Sequence, residues 1–187
     1  MHTSLYLFPL PVLDEPPPDT LIPALLRDCG FLGDGFEASR YLAGPAFFQH
    51  ITFAGCAPHL QLERPVEGGH EFCHISIVAD QQPPPLRVAL GRGRPRCPSC
   101  RAGVPGWQEN LPNWEKDSAR RWRCEACGGD FPIAELDWRQ YGVGARCVVE
   151  IHQVYPGEAL PGDGLMQLLS AGTGREWRHA WANGSGS

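Results

Sequence analysis

Residues 146–153 read RCVVEIHQ and residues 70–80 read HEFCHISIVAD. In both stretches side-chain character alternates with a period of two, the spacing that sends successive residues of a strand to opposite faces. Cys147, Val149 and Ile151 share one face of the first stretch, and Cys73, Ile75, Ile77 and Ala79 share one face of the second. Arg146, Glu150 and His152, and likewise His74 and Ser76, fall on the other. A doubly wound parallel sheet buries both faces and reads as continuous apolar runs, whereas one-sided alternation belongs to antiparallel or mixed sheets. The expectation is an α+β domain with a mixed or antiparallel sheet and two helices, its polar strand face turned to solvent.

Working outward, the same kind of unit stands at each end of the chain. Residues 4–10 (SLYLFPL) read as a strand, DEPPPD (14–19) as an extended connection, and Leu21, Ile22, Leu25, Leu26 and Cys29 as one helical stripe, with Asp19 as cap and Gly30 as stop. After RCVVEIHQ, a Pro/Gly connection leads to a helix with Leu165, Leu168 and Leu169 inward and Asp163 as cap. The two units are either an internal duplication or two ordinary strand–helix pairs of an α+β domain. Further strands are expected in AFFQHITFAG (46–55), LRVAL (86–90) and REWRHAW (175–181), where Trp177 and Trp181 read as core.

The chain has 187 residues, enough to bury a core without help from a metal, and its 22 Gly and 19 Pro predict many turns. No apolar run approaches the roughly 20 residues that cross a bilayer. LYLFPLPVL (5–13) lacks a basic lead-in and a small-residue cleavage site, so it reads as a first strand and not as a signal peptide. In a cytoplasmic protein, the expected setting, eight cysteines are thiols or metal ligands before they are disulfides.

Four of them are paired. Cys97 and Cys100 stand in RPRCPSC, Cys124 and Cys127 in RWRCEACGGDF. Two thiolates separated by two residues grip an ion from one tight turn, and two such turns supply the four sulfurs that tetrahedral Zn²⁺ prefers. A redox dithiol or four space-filling thiols are the competing readings. The motifs resemble the zinc-ribbon class: CPSC carries the Pro of its first knuckle, and CEACGGDF the Cys-Gly ending and following aromatic of its second. Arg101 stands where that class more often has Gly. The resemblance covers residues 95–132 and implies one structural zinc. A closed four-thiolate site has no open position for activating water. The expected organisation is a body of residues 1–92 and 135–183, an inserted zinc ribbon at 93–134, and a flexible tail at 184–187.

Between residues 87 and 123 nine cationic side chains face three carboxylates, a net +6 in a chain of −5, so the remainder carries −11. Arg94, Arg96, Arg101, Arg120, Arg121 and Arg123, with Trp107 and Trp114, make a candidate contact surface. Guanidinium groups suit phosphates or acidic partners, and flat rings suit stacked bases. Equally, the tryptophans can form the ribbon's own core and the arginines dock on the acidic body.

Two other groupings have chemical content. Cys56, His59, His70 and Cys73 have the types and spacing of a second zinc site, against which stands ordinary burial of Cys73. Glu150 and His152, with His74 or His179, offer acid–base groups, although no nucleophile motif accompanies them. The first expectation is a non-catalytic cytoplasmic protein that uses a basic zinc ribbon to contact a protein partner. A single-stranded nucleic-acid-binding protein and an enzyme with its site on the body are the alternatives.

Overall fold

The computed structural model describes residues 3–54, 60–92, 94–154 and 157–183. In chain order the elements are β1 (Thr3–Pro9), α1 (Leu21–Asp28), β2 (Leu32–Glu37), β3 (Arg40–Ala43), α2 (Phe47–His50), β4 (Ile51–Phe53), β5 (His74–Val78) and β6 (Arg87–Val88). They continue as α3 (Trp107–Trp114), β7 (Arg121–Arg123), β8 (Asp130–Pro132), β9 (Gly142–Val143), β10 (Val148–Ile151), β11 (Ala159–Pro161), α4 (Asp163–Thr173) and β12 (Trp177–Asn183).

The principal sheet runs β12-β1-β10-β5-β3-β2, and every neighbouring pair in it is antiparallel. Two strand–helix–strand halves, β1-α1-β5 and β10-α4-β12, interlock so that each inserts a strand into the other, a split βαβ arrangement. The similar patterns at the two chain ends are therefore the openings of these halves. Their helices pack together: a Cβ added at Gly172 of α4 would lie 2.4 Å from Leu25 of α1. A larger residue there would have to displace the Leu25 side chain.

The apolar strand faces do what their alternation predicts. Leu5, Leu7, Ile75, Ile77, Val149 and Ile151 bury against Ile22 and Leu26 of α1 and Leu165 and Leu169 of α4, with Trp177 and Trp181 in the same cluster. Each such side chain contributes about 1.5–3 kcal/mol when fully buried. The residue at the start of α1 is Thr20, not Asp19, and its side chain makes no capping bond. Gly30 ends the helix at φ +73°.

The polar face departs from expectation. His74, Ser76, Glu150 and His152 are all buried. A second cluster on this side, Tyr6, Phe8, Val12, Val143, Ala145, Val148, Ala180 and Ala182, is built partly from segments that return after the ribbon. Near His74 the cover is aromatic, from Phe36 and Phe72. Residues 46–55 also differ: the apolar run breaks into α2 and the three-residue β4.

The segment whose sequence resembles a zinc ribbon, called the ribbon for short, lies between β6 and β9. Its hairpin β7–β8 pairs Trp122 with Phe131, and α3 occupies the long stretch between the knuckles. Leu86, Val88, Val104, Leu111, Trp114, Ile133, Leu136 and Trp138 form its apolar cluster. That cluster draws residues from both sides of the 93–134 segment.

Candidate metal centre

The sulfurs of Cys97, Cys100, Cys124 and Cys127 all lie within 4.8 Å of one another. Cys97 Sγ is 3.8 Å from Cys127 Sγ, and Cys100 Sγ is 3.6 Å from Cys124 Sγ. Four sulfurs at 2.3 Å from a tetrahedral Zn²⁺ are about 3.8 Å apart, so the spacing fits that ion. Burial raises the Cys97 thiol, but the backbone N–H groups of Cys100 and Ser99 and the adjacent sulfurs bring it down to about 7. The N–H of Ala102 favours the Cys100 thiolate, yet burial and the three neighbouring sulfurs push that thiol up to about 12. One thiolate thus forms readily and discourages the next. A divalent cation removes the conflict.

The two knuckles have the same backbone plan. Cys97 N donates to Ala102 O (2.8 Å) and Arg101 N to Cys97 O (3.0 Å); Cys124 N donates to Gly129 O (2.8 Å) and Gly128 N to Cys124 O (2.8 Å). Gly128 and Arg101 therefore occupy equivalent positions, and both are left-handed, at φ +73° and +65°. Glycine takes that conformation freely, whereas arginine is strained in it. The departure of the first knuckle from the ribbon pattern changes its energy and not its shape.

The candidate contact residues divide. Arg94 and Arg123 are exposed, and Arg101, Arg120 and Arg121 are exposed but paired with Asp137, Asp117 and Asp130. Arg96 is half-buried. The two tryptophans do not stand on the surface with them: Trp114 is buried and Trp107 half-buried, both edge-on to Trp138. A segment this small has few other large apolar groups with which to fill its interior.

Cys56 and His59 lie outside the described residues. The other two members of that grouping diverge. Cys73 is buried in the main cluster, where burial pushes its thiol up to about 12, while His70 sits with Glu37 (2.9 Å) and Arg40 (2.6 Å).

Glu150, His152 and His74 do meet. Tyr6 Oη donates to Glu150 Oε1 (2.8 Å), His152 Nδ1 lies 3.4 Å from the same oxygen, and His152 Nε2 is 2.8 Å from Ser76 Oγ. His74 stacks on His152 with ring centroids 4.0 Å apart and donates from Nδ1 to Phe72 O. Burial holds His152 down at about 4, against the pull of Glu150, and lowers His74 as well. β5 is hydrogen-bonded on both sides, to β10 and β3, so its backbone offers Ser76 no spare pair of N–H donors for an oxyanion. The group is a buried polar network joining three strands. His179 stands apart from it, beside Gln140 and Trp181. The signal in sequence was the repeat of polar residues at matching alternate positions of two strands.

Where ribbon meets body there is a groove of about 920 Å³, lined among others by Phe8, Val12, Pro98, Arg101, Val143 and Arg178. β12 is the adjoining sheet edge. Leu10 N donates to Glu176 O, which sets the ladder: alternate residues Arg178, Ala180 and Ala182 bond toward β1, while Trp177, His179 and Trp181 face outward. Trp181 N is taken by Gln140 O (2.7 Å). Among the described residues, the N–H and C=O of Trp177 and His179 have no backbone partner.

No protein-family model, curated protein or solved structure matches this chain.

Proposed function

We propose that the chain is a non-catalytic, cytoplasmic zinc-binding protein that docks an extended segment of a partner protein at the junction of ribbon and body. The observation that carries this reading is the open edge of β12 beside the 920 Å³ groove. Unpaired strand edges recruit extended chains through main-chain hydrogen bonds, and adjoining pockets choose among side chains. The ribbon supplies one wall through Pro98 and Arg101, and one zinc on Cys97, Cys100, Cys124 and Cys127 keeps that wall rigid. Trp114 is buried and Trp107 only half-buried, so there is no row of exposed rings of the kind a single strand of nucleic acid stacks on, which favours the docking reading.

His179→Pro tests it, because an edge strand tolerates proline where the N–H faces outward, and the substitution removes one docking donor. Cross-linking in the native cell, followed by capture of wild type and variant, should yield a protein cross-linked near residues 177–181 that the variant loses. Identical capture by both, or salt-steep oligonucleotide binding by both, would rule the reading out.

A further inference from the structure

Most arginines of this protein are partnered through an ion pair, a hydrogen bond or an aromatic ring. Among the described residues, five arginine side chains have none of these: Arg92, Arg94, Arg96, Arg123 and Arg139. Four of the five line one cavity of about 310 Å³, together with Trp107 and Gln108, and no carboxylate lines it.

The arrangement is built by backbone and not by chance overlap of loose side chains. Arg96 N donates to Asp137 O and Asp137 N to Arg96 O, both at 3.0 Å, which ties the first knuckle to the segment that carries Arg139. Arg139 N donates to Asp137 Oδ1 (3.1 Å), and the same carboxylate pairs with Arg101, so Asp137 is spent elsewhere. Arg139 is left-handed at φ +52° and Gln140 follows at +65°. Two consecutive non-glycine residues in that region carry strain, and the bonds through Asp137 help hold them in place.

Four like charges in one concavity repel each other and focus a positive potential on it. A multivalent anion reverses the sign of that interaction. Guanidinium forks match phosphate oxygens in pairs, better than a compact ammonium does, and all four cations here are arginines. The cavity is at the small end of ligand sites, sized for a short polyphosphate and not for a strand of nucleic acid. Trp107 places a flat ring in its wall, where a base attached to the phosphates would stack.

We propose that Arg92, Arg94, Arg96 and Arg139 bind the polyphosphate group of a nucleotide, with the base against Trp107. Arg139 also lines the groove beside β12, but Arg92, Arg94 and Arg96 do not, and the site does not depend on the docking reading.

Calorimetric titration of the full zinc-loaded chain at low salt tests it with four probes: tripolyphosphate, ATP, orthophosphate and a mixed single-stranded 20-mer. One-to-one binding of tripolyphosphate and ATP is expected, with orthophosphate much weaker. Affinity should fall with added salt and drop at least about tenfold in R96Q/R139G, a change of one order in Kd. Glycine suits φ +52°, so Arg139→Gly alone should lose affinity without lowering the melting temperature, separating a lost ligand contact from a damaged fold. R120Q/R121Q/R123Q should bind as wild type does, and Trp107→Phe should reduce the advantage of ATP over tripolyphosphate. The proposal is overturned if neither polyphosphate binds at millimolar concentration. It is equally overturned if R96Q/R139G and R120Q/R121Q/R123Q weaken binding alike, or if the 20-mer binds while tripolyphosphate does not.

Discussion

Among the described residues, twenty buried ones form the cluster between the body's sheet and its helices α1 and α4, whereas eight form the ribbon's cluster, whose strands β7 and β8 are three residues each. The body closes its hydrogen bonds through a six-stranded sheet, while the ribbon closes its turns on four sulfurs. The difference teaches where stability comes from in each. Apolar area suffices for the first, and a small hairpin with two tight turns needs a cross-link, which a metal on the four clustered cysteines would supply. Substitutions that act on one mechanism should spare the other region.

The largest expected effect is therefore on the ribbon. Cys124→Ser, or removal of the metal with a chelator, should strip amide protection from the knuckles and from β7 and β8, because structural zinc sites contribute on the order of 10 kcal/mol to their local fold. Hydrogen exchange should show β1, β5 and β10 still protected. Global unfolding would break the comparison, showing that the two regions fold as one.

Next in size, Leu165→Ala in the body's fully buried cluster should cost about 2–5 kcal/mol by denaturant titration, with zinc still bound. Retained metal would confirm that the body's core and the ribbon's cross-link are separate.

A pH series sharpens the comparison further. His152 is held at about 4 in the fold, below the ordinary imidazole value of 6.5. Facing it are Glu150, which favours its charged form, and His74, Arg40 and His70, which oppose it. In this range the unfolded chain binds more protons than the fold, so stability falls as pH drops from about 6.5 to about 4 and this loss levels off below. The loss is roughly 3 kcal/mol from this group. His152→Gln should flatten that slope, and an unchanged slope would show that the network does not set the acid limit.

The smallest effect compares the knuckles directly. Arg101→Gly gives the first turn the residue that the second has in Gly128, and relief of a left-handed arginine should raise the ribbon's stability by about 1 kcal/mol. Its ion pair with Asp137 is an exposed one and offsets little. Gly128→Ala should cost about as much in the opposite direction. Thermal melts of both variants check the pair.

How far the sequence could be read follows from how local each signal is. The four-cysteine cluster is legible because each knuckle is a four-residue turn that specifies itself. The apolar strand faces are legible because period-two alternation states which residues share a face. It does not state what lies over the opposite face, so Glu150 and His152 read as solvated when Val12, Val143 and Ala145 arrive from non-periodic segments to cover that side. The hairpin β2–β3 escaped notice because LGDGFEASRYLA is poor in strand formers and irregular in register, and is held by pairing with β5. Trp107 and Trp114 read as a surface because a one-dimensional pattern places them among arginines, while packing buries Trp114 and half-buries Trp107. The arginine cavity exists only because Asp137 joins residue 96 to residue 139, a contact across about forty positions.

The central proposal, that four thiolates would hold one structural zinc in a ribbon separable from the body's core, is tested most directly by native mass spectrometry with metal analysis on wild type and C124S/C127S. The account predicts one zinc per wild-type chain and none in the variant, with a folded body in both. No zinc in the wild type, or a second ion that survives in the variant, would contradict it.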